Sequence, residues 1–579
     1  MANKKFSEFT VKTSTSDVDF VVGYDGTDNV RITPANLTGG GGASDLNGLT
    51  DCLVDTNSLY VGEVPSGLSG NPQNNTILGI DAGASITTGN DNTLIGREAG
   101  KSGTAGNFID NVLIGNRAGQ ALNVFQNVVI GNQSYENGTG CCTVAIGHRA
   151  SSSGGAHVVA IGREAGLNNS QDNCIIIGSA AARQGNSSAG HVSVGYQSGY
   201  SQTSGANNTN IGYQAGYSNT TGASRVMLGY EAGKNNTGSN NVFLGKATGK
   251  GSGSGSQTIA IGQGVMESGS AANNSVFIGN YMAANTISGA DSTVAIGTNC
   301  LSAAGYSGES NTVVGHQAGN NLSSGDNNTM IGRQAGDATT TGASNTLIGY
   351  QAGLAITTAG NNVLIGYQSG KALTAGGNSG SNVFVGYQTG FGANNANYNT
   401  LLGYQTGYGL TNGENNTIIG SFASAYGGAL TTGDNNTIIG NAAYPSSATV
   451  NNEITLGNSS ISTLRCAVTS ITSLSDERDK SEIKDITYGL AFIDALQPRE
   501  FVWNNRPETN KDGEEFFSSN KGKKDFGFIA QEVKELDNDT LRLVYDENPE
   551  KLELSYGKLV PVLVQAIKEL KVEIELLKS

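Results

Sequence analysis

The sequence predicts a mainly β fold: a long trimeric rod of repeats near 17 residues, followed by a small α+β domain that ends in a coiled-coil helix. Three observations carry that reading. An apolar triplet closed by glycine recurs 23 times, from TILG ending at Gly79 to ITLG ending at Gly457, and a sustained period of this kind marks a solenoid-like array. Charge then steps up sharply, from 28 charged residues among the 385 of segment 73–457 to 39 among the 105 of segment 475–579. Finally, Leu563, Ile567, Leu570, Ile574 and Leu577 step by four, three, four and three residues, which is a heptad seam.

Composition narrows the function classes. The chain has 579 residues, with 84 glycines but only 8 prolines and no G-X-Y period, so neither collagen nor a proline-rich disordered chain fits. A net charge of −15 argues against nucleic acid or an anionic membrane surface as partner, because both require a basic footprint. No apolar run approaches the ~20 residues of a membrane span, so no membrane insertion is expected. The opening MANKKFSEFT has no apolar segment behind its lysines, so no secretory signal is expected. The six cysteines follow no CxxC spacing and His148, His157, His191 and His316 follow no ligand spacing. The expectation is free thiols, surface or turn histidines, and no metal or cofactor.

Within the rod, residues 71–460, each register position has its own chemistry. Three before the glycine stands Val, Thr or Ile, and one before stands Ile, Leu or Val. The residue between them varies, as Ala145, Asn210, Phe243, Ala260, Met330 and Leu347 show. Period-two alternation puts the constant pair on one face and the variable residue on the other. The expectation is a constant inner face and a variable second face, too apolar for open water, that meets another chain. Asparagine stands four before the glycine in 14 of the 23 repeats, and stacked turns ~4.8 Å apart would pair these amides into a ladder. The glycine marks a tight turn or a close backbone approach. After it comes a small-residue turn, often YQAG or YQSG (Tyr196, Tyr213, Tyr350, Tyr367), whose tyrosines read as an exposed packing ladder. Twenty-three turns at ~4.8 Å give a rod of roughly 110 Å. No carboxylate pair in it looks placed for glycosidase work.

Three segments resemble known families. The pentapeptides TVAIG (143–147, 293–297) and TIAIG (258–262) resemble the head repeat of trimeric autotransporter adhesins, which implies a left-handed β-roll packed as a trimer. An interleaved triple β-helix, each face covered by a neighbouring chain, is the alternative architecture. The run FVVGYDGTDNVRITPANL (20–37) resembles N-terminal segments of phage tail-fibre and virion structural proteins, which implies that residues 1–70 attach to a tail or baseplate. Beyond a junction at 461–474, the blocks SDERDKSEIKDITYGLAFIDALQPREFVW, DFGFIAQEV (525–533) and LSYGKLVPVLVQAIKELKVEIELLKS make residues 475–579 similar to the intramolecular chaperone domain of phage tail fibres and tailspikes, the peptidase S74 family.

That last resemblance implies that the domain brings three chains together and then cuts itself off with a serine–lysine dyad. The family pattern falls on Ser475, Asp476 and Lys480, with the cut between Leu474 and Ser475. A serine hydroxyl needs a base, and a desolvated lysine can serve. Five residues of helix turn through about 500°, so Ser475 must precede the helix at its N-cap, with Lys480 folding back or arriving from a neighbouring chain. The plain alternative is that Ser475 is only an N-cap. The segment Gly527–Val533 reads as strand-to-helix core. The function expected from all this is a phage tail fibre in the virion, assembled in the host cytoplasm. It would be a homotrimer bound to the tail or baseplate through its N-terminus and to a host surface receptor, a glycan among the candidates, with self-cleavage its one reaction. The alternative is a cell-surface trimeric adhesin, or another cellular protein carrying the same domain.

Overall fold

Each of the 23 glycine-terminated triplets is a strand, from Thr76–Leu78 to Ile454–Leu456. The computed structural model describes residues 21–24, 29–32, 52–55, 57–62, 68, 72–103, 108–185, 189–268, 272–283, 289–374, 380–461, 463–465, 475–504, 508–509, 515–516, 521–537, 540–546 and 552–579. Most of the N-terminal segment 1–70 and Leu474 therefore lie outside the described residues. The chain divides into two compact units, Met1–Ser310 and Asn311–Ser579, and that division falls inside the repeat array, where no composition change marks it.

In the first unit, Val21–Tyr24 and Asn29–Ile32 form an antiparallel hairpin. The solenoid begins with a second hairpin, Cys52–Asp55 against Ser58–Val61, whose second strand pairs in parallel with Thr76–Leu78. From there each strand pairs in parallel and in register with the strand one repeat on, as Thr209, Asn210 and Ile211 do with Val226, Met227 and Leu228. The second unit repeats the arrangement from Thr312–Val314 to Ile454–Leu456. Since the ladder partners come from successive repeats of one chain, this is a β-solenoid whose coils close on themselves, not an interleaving of strands from different chains.

The two strand faces are inverted relative to the sequence expectation. The variable middle residue points into the coil: Met227, Phe243, Phe277, Met330 and Leu347 are fully buried. The constant pair points outward and stays partly exposed, with Leu78 at 46 %, Ile175 at 43 % and Leu402 at 47 %. A coil interior must be apolar and filled, but each rung needs only to fit its two neighbours, so size can vary along the stack. Alanines three after the glycine (Ala318, Ala335, Ala352) and larger residues seven after it (Leu322, Ile356, Leu373) complete the interior.

Asparagine completes the rung in 14 of the 23 coils. Asn345 Oδ1 accepts the backbone N–H of Asn362 at 3.0 Å and its side-chain amide at 3.1 Å, while Asn345 Nδ2 donates across the coil to Ala359 O at 3.0 Å. The same pattern runs from Asn75 to Asn127 and from Asn311 to Asn436. Glycine is required where the strand ends. Gly349 has φ +135°, and a Cβ there would lie 2.3 Å from Gly366 O on the next coil, so both the backbone conformation and the space forbid a side chain.

Two further positions recur in the left-handed conformation with residues other than glycine: the one five before the glycine (Asn74, Asp91, Cys142, His157) and the one two after it (Glu98, Gln351, Gln368). Side-chain ladders accompany the second set. Gln334, Gln351, Gln368, Gln388 and Gln405 each donate to the glutamine one coil earlier at 2.8 to 3.3 Å. Beside them the tyrosines stack, with Tyr350, Tyr367, Tyr387 and Tyr404 at centroid spacings of 5.0 to 5.1 Å. In the first unit, glutamates occupy several of these left-handed positions and pair with a base one coil on: Glu98 with Arg117, Glu164 with Arg183, Glu231 with Lys250.

The C-terminal segment, within the second unit, is α+β. It holds helices α1 (Leu490–Ala495), α2 (Ala530–Asp537) and α3 (Leu559–Lys578), and an antiparallel pair, Arg499–Val502 with Lys524–Gly527. Its core is Phe492, Leu496, Val533, Leu543, Val544, Leu559 and Val562. Buried Asp537 ends α2 by accepting the N–H groups of Leu541 and Leu543 at 2.6 and 2.7 Å. Glu569 of α3 accepts the Leu490 N–H at 2.6 Å, satisfying one free donor at the start of α1. Strand, turn and helix follow one another through Gly527–Val533, as its pattern predicts.

Candidate self-cleavage site

The residues singled out by the sequence lie at the start of the C-terminal segment, and the structure brings two of them together. Glu477–Asp479 form a single 3-10 turn, capped by Asp476 and not by Ser475. Asp476 Oδ1 accepts the Arg478 N–H at 2.9 Å and Nε at 3.0 Å, while Oδ2 accepts Nη2 at 2.6 Å. That arrangement holds the Asp476 carboxyl below its ordinary range, chiefly through the Arg478 guanidinium. Asp476 therefore shapes the turn.

Because the turn is a tight 3-10 turn and not an α-helix, its two ends meet. Ser475 precedes the cap, Lys480 follows the last helical residue, and Lys480 Nζ donates to Ser475 Oγ at 2.6 Å and to Ser475 O at 3.1 Å. The lysine folds back within one chain. No α-helix spans the two residues, so they are not turned about 500° apart as an α-helical path would turn them. Both side chains are exposed. A lysine acts as a base only when water has been removed from it, so a lone chain supplies the pair but not its shelter.

The seam residues of α3 divide from its packing face. Leu559, Val562 and Ala566 are buried against the domain, whereas Leu563, Ile567, Leu570, Ile574 and Leu577 are 41 to 87 % exposed. The helix thus packs on its own domain with one stripe and presents the heptad stripe outward.

Several side chains escaped the sequence reading. His191, expected at the surface, is buried at the ladder position with Nδ1 3.1 Å from Cys174 Sγ. Arg225 stands in the same ladder, fully buried, with Nε donating to Asn208 Oδ1 at 3.3 Å and Nη1 to Asn236 O at 2.8 Å. Burial pushes its pKa down to about 9. Both occupy the position four before the glycine, so the register gave the signal: residues there are buried in every coil but the last, where Glu453 is half-buried.

No curated protein and no solved structure matches the chain. Residues 475–542 match the peptidase S74 family, the chaperone of endosialidase, in a stretch that opens on Ser475 and ends before α3.

Proposed function

We propose that this chain is a homotrimeric fibre, a phage tail fibre that binds a host surface receptor, whose C-terminal segment 475–579 gathers three chains and then severs itself between Leu474 and Ser475. The observation that carries the reading is the 2.6 Å contact of Lys480 Nζ with Ser475 Oγ, placed at the first residues of the S74 match. Two exposed surfaces support the trimer. One is the outward pair repeated on every coil, Val, Thr or Ile with Ile, Leu or Val, which includes exposed Val226, Leu228 and Leu402. The other is the α3 seam. Contiguous apolar surface of this kind is the mark of an interface, and an identical stripe on each chain makes a second copy the natural occupant.

The contact of Lys480 with Ser475 supports the following reaction. Ser475 Oγ adds to the Leu474 carbonyl carbon as its proton passes to neutral Lys480 Nζ. The adduct then breaks the C–N bond, and the Ser475 nitrogen takes the proton, leaving an ester between Leu474 and Ser475 Oγ. Water hydrolyses that ester to a Leu474 carboxylate and the free hydroxyl of Ser475. Intact mass and denaturing gels of wild type beside Ser475→Ala test it. A wild-type fragment ending at Leu474 and a full-length variant are expected. Full-length chain in both, after assembly, overturns the cleavage.

A further inference from the structure

The structure assigns a thiophilic metal site to the surface of the first unit: Cys141, Cys142 and His157 are placed to bind one zinc-like divalent cation. Fifteen residues separate Cys142 from His157 in sequence, a spacing no linear metal motif would flag. In a solenoid, however, the repeat length is the ligand spacing. Cys142 and His157 are consecutive rungs of the left-handed position five before the glycine, with φ +60° and +57°.

That backbone is what makes the cluster. Adjacent residues of an extended strand point to opposite faces, but the left-handed residue at 142 turns both thiols to one side, with the sulfurs 3.2 Å apart. The two sulfurs and the imidazole nitrogen all lie within 4.8 Å of one another. The rungs are fixed by main chain: His157 N–H donates to Cys141 O at 2.9 Å. Both cysteines are free and half-buried, and His157 is exposed. Tetrahedral zinc with bonds of about 2.3 Å to sulfur needs ligand sulfurs about 3.8 Å apart, within reach of a small rotation of either thiol. Two thiolates and one imidazole suit zinc, and the fourth position is left for water. Asp172 Oδ1 is held by the Ala156 N–H at 2.7 Å, and Gln126 Oε1 lies 3.7 Å from Cys142 Sγ as a weak acceptor.

The test uses full-length protein, reduced and stripped of metal, titrated with Co2+ and then Zn2+. One Co2+ per chain should give thiolate-to-cobalt charge-transfer absorption with the d–d bands of a tetrahedral site, and one equivalent of Zn2+ should abolish it. Cys141→Ser and Cys142→Asn should each remove the charge-transfer band. His157→Asn should weaken binding at least about tenfold, since even outer-shell partners of a metal contribute that much. Asparagine suits the left-handed backbone, so the β circular dichroism should be unchanged. Serine at Cys52 and Cys466 should leave the signal intact. Reduced wild type without charge-transfer absorption overturns the assignment, as does a signal that survives the Cys141→Ser/Cys142→Asn double variant.

Discussion

Replacing Asn345 by alanine should loosen the second unit locally and by a calculable amount. The side chain makes four hydrogen bonds in the coil interior: Nδ2 to Ala359 O and to Asn328 Oδ1, which also keeps the Asn345 N–H, and Oδ1 from the Asn362 N–H and from its amide. Asn362 Nδ2 keeps a second acceptor, Gly360 O at 3.1 Å, so alanine strands two buried main-chain groups. At 1–3 kcal/mol for each unsatisfied group, the loss is about 3 kcal/mol. Serine should cost less, and the chain itself supplies the reason. At the same register, Ser275 Oγ donates to Ala290 O at 2.9 Å and accepts the Thr293 N–H at 3.1 Å, doing both jobs with one oxygen. We expect Asn345→Ser to lose about 1 kcal/mol. Hydrogen exchange of the full-length protein reads this directly. Tenfold faster exchange corresponds to about 1.4 kcal/mol, so the Asn362 amide should open roughly a hundredfold faster in the alanine variant and several-fold faster in the serine variant. Nearest-neighbour stability in repeat arrays should confine the effect to adjoining coils. Equal rates in the two variants, or an alanine effect below about threefold, would refute the ladder argument.

Three further outcomes are expected. Lys480→Arg keeps the positive charge and the reach but cannot accept a proton, so on denaturing gels it should remain uncut while still sedimenting as a trimer. Ile567→Asp with Leu570→Asp alters only side chains exposed in a single chain, so the domain's circular dichroism should persist while sedimentation reports monomer and the cut fails. Acidification should loosen the coils of the first unit before those of the second. Glu98, Glu164 and Glu231 are held below their ordinary value near 4.5, first by hydrogen bonds from Arg117, Arg183 and Lys234 respectively, so their stabilisation is present above that value and lost as pH falls beneath it. The glutamine ladder of the second unit does not titrate, and hydrogen exchange on either side of pH 4.5 should accelerate in coils around those glutamates far more than around Gln351.

The repeat made the coil legible, because a period read from glycines and apolar triplets is also the period of the hydrogen-bonded ladder. The asparagine ladder followed from the same register. The orientation of the faces did not. Uniform Val/Thr/Ile and Ile/Leu/Val positions look like a core, yet here uniformity belongs to an outer surface and variation to the interior, where Met227 has only to fit Asn210 before it and Phe243 after it. The left-handed positions were hidden for a different reason. At the position two after the glycine, glutamine and glutamate have no marked preference for that conformation, and coil geometry imposes it on whatever residue arrives. At the candidate site the motif located Ser475 and Lys480, but the turn between them was misjudged. Asp476 and Arg478 form a bidentate pair that closes a 3-10 turn, and i, i+2 pairing is not something helical periodicity reveals.

The exposure of Ser475 and Lys480 has a consequence for timing on the proposed reading. A lone chain carries the nucleophile and its base in contact, yet in water the lysine is not shielded as base catalysis demands. Shelter must come from surfaces that a single chain leaves open, and the α3 seam shows that this segment has such surfaces. Cleavage would then follow assembly and never precede it. The order matters energetically. Packing three long solenoids against one another leaves aggregation-prone surface exposed while it proceeds, so a guide released early would strand the coils unpartnered. Released late, the guide takes the route back with it, and the trimer persists because unfolding is slow, whatever its equilibrium stability. Coupling the cut to burial of Lys480 would enforce that order with no regulator beyond the trimer itself.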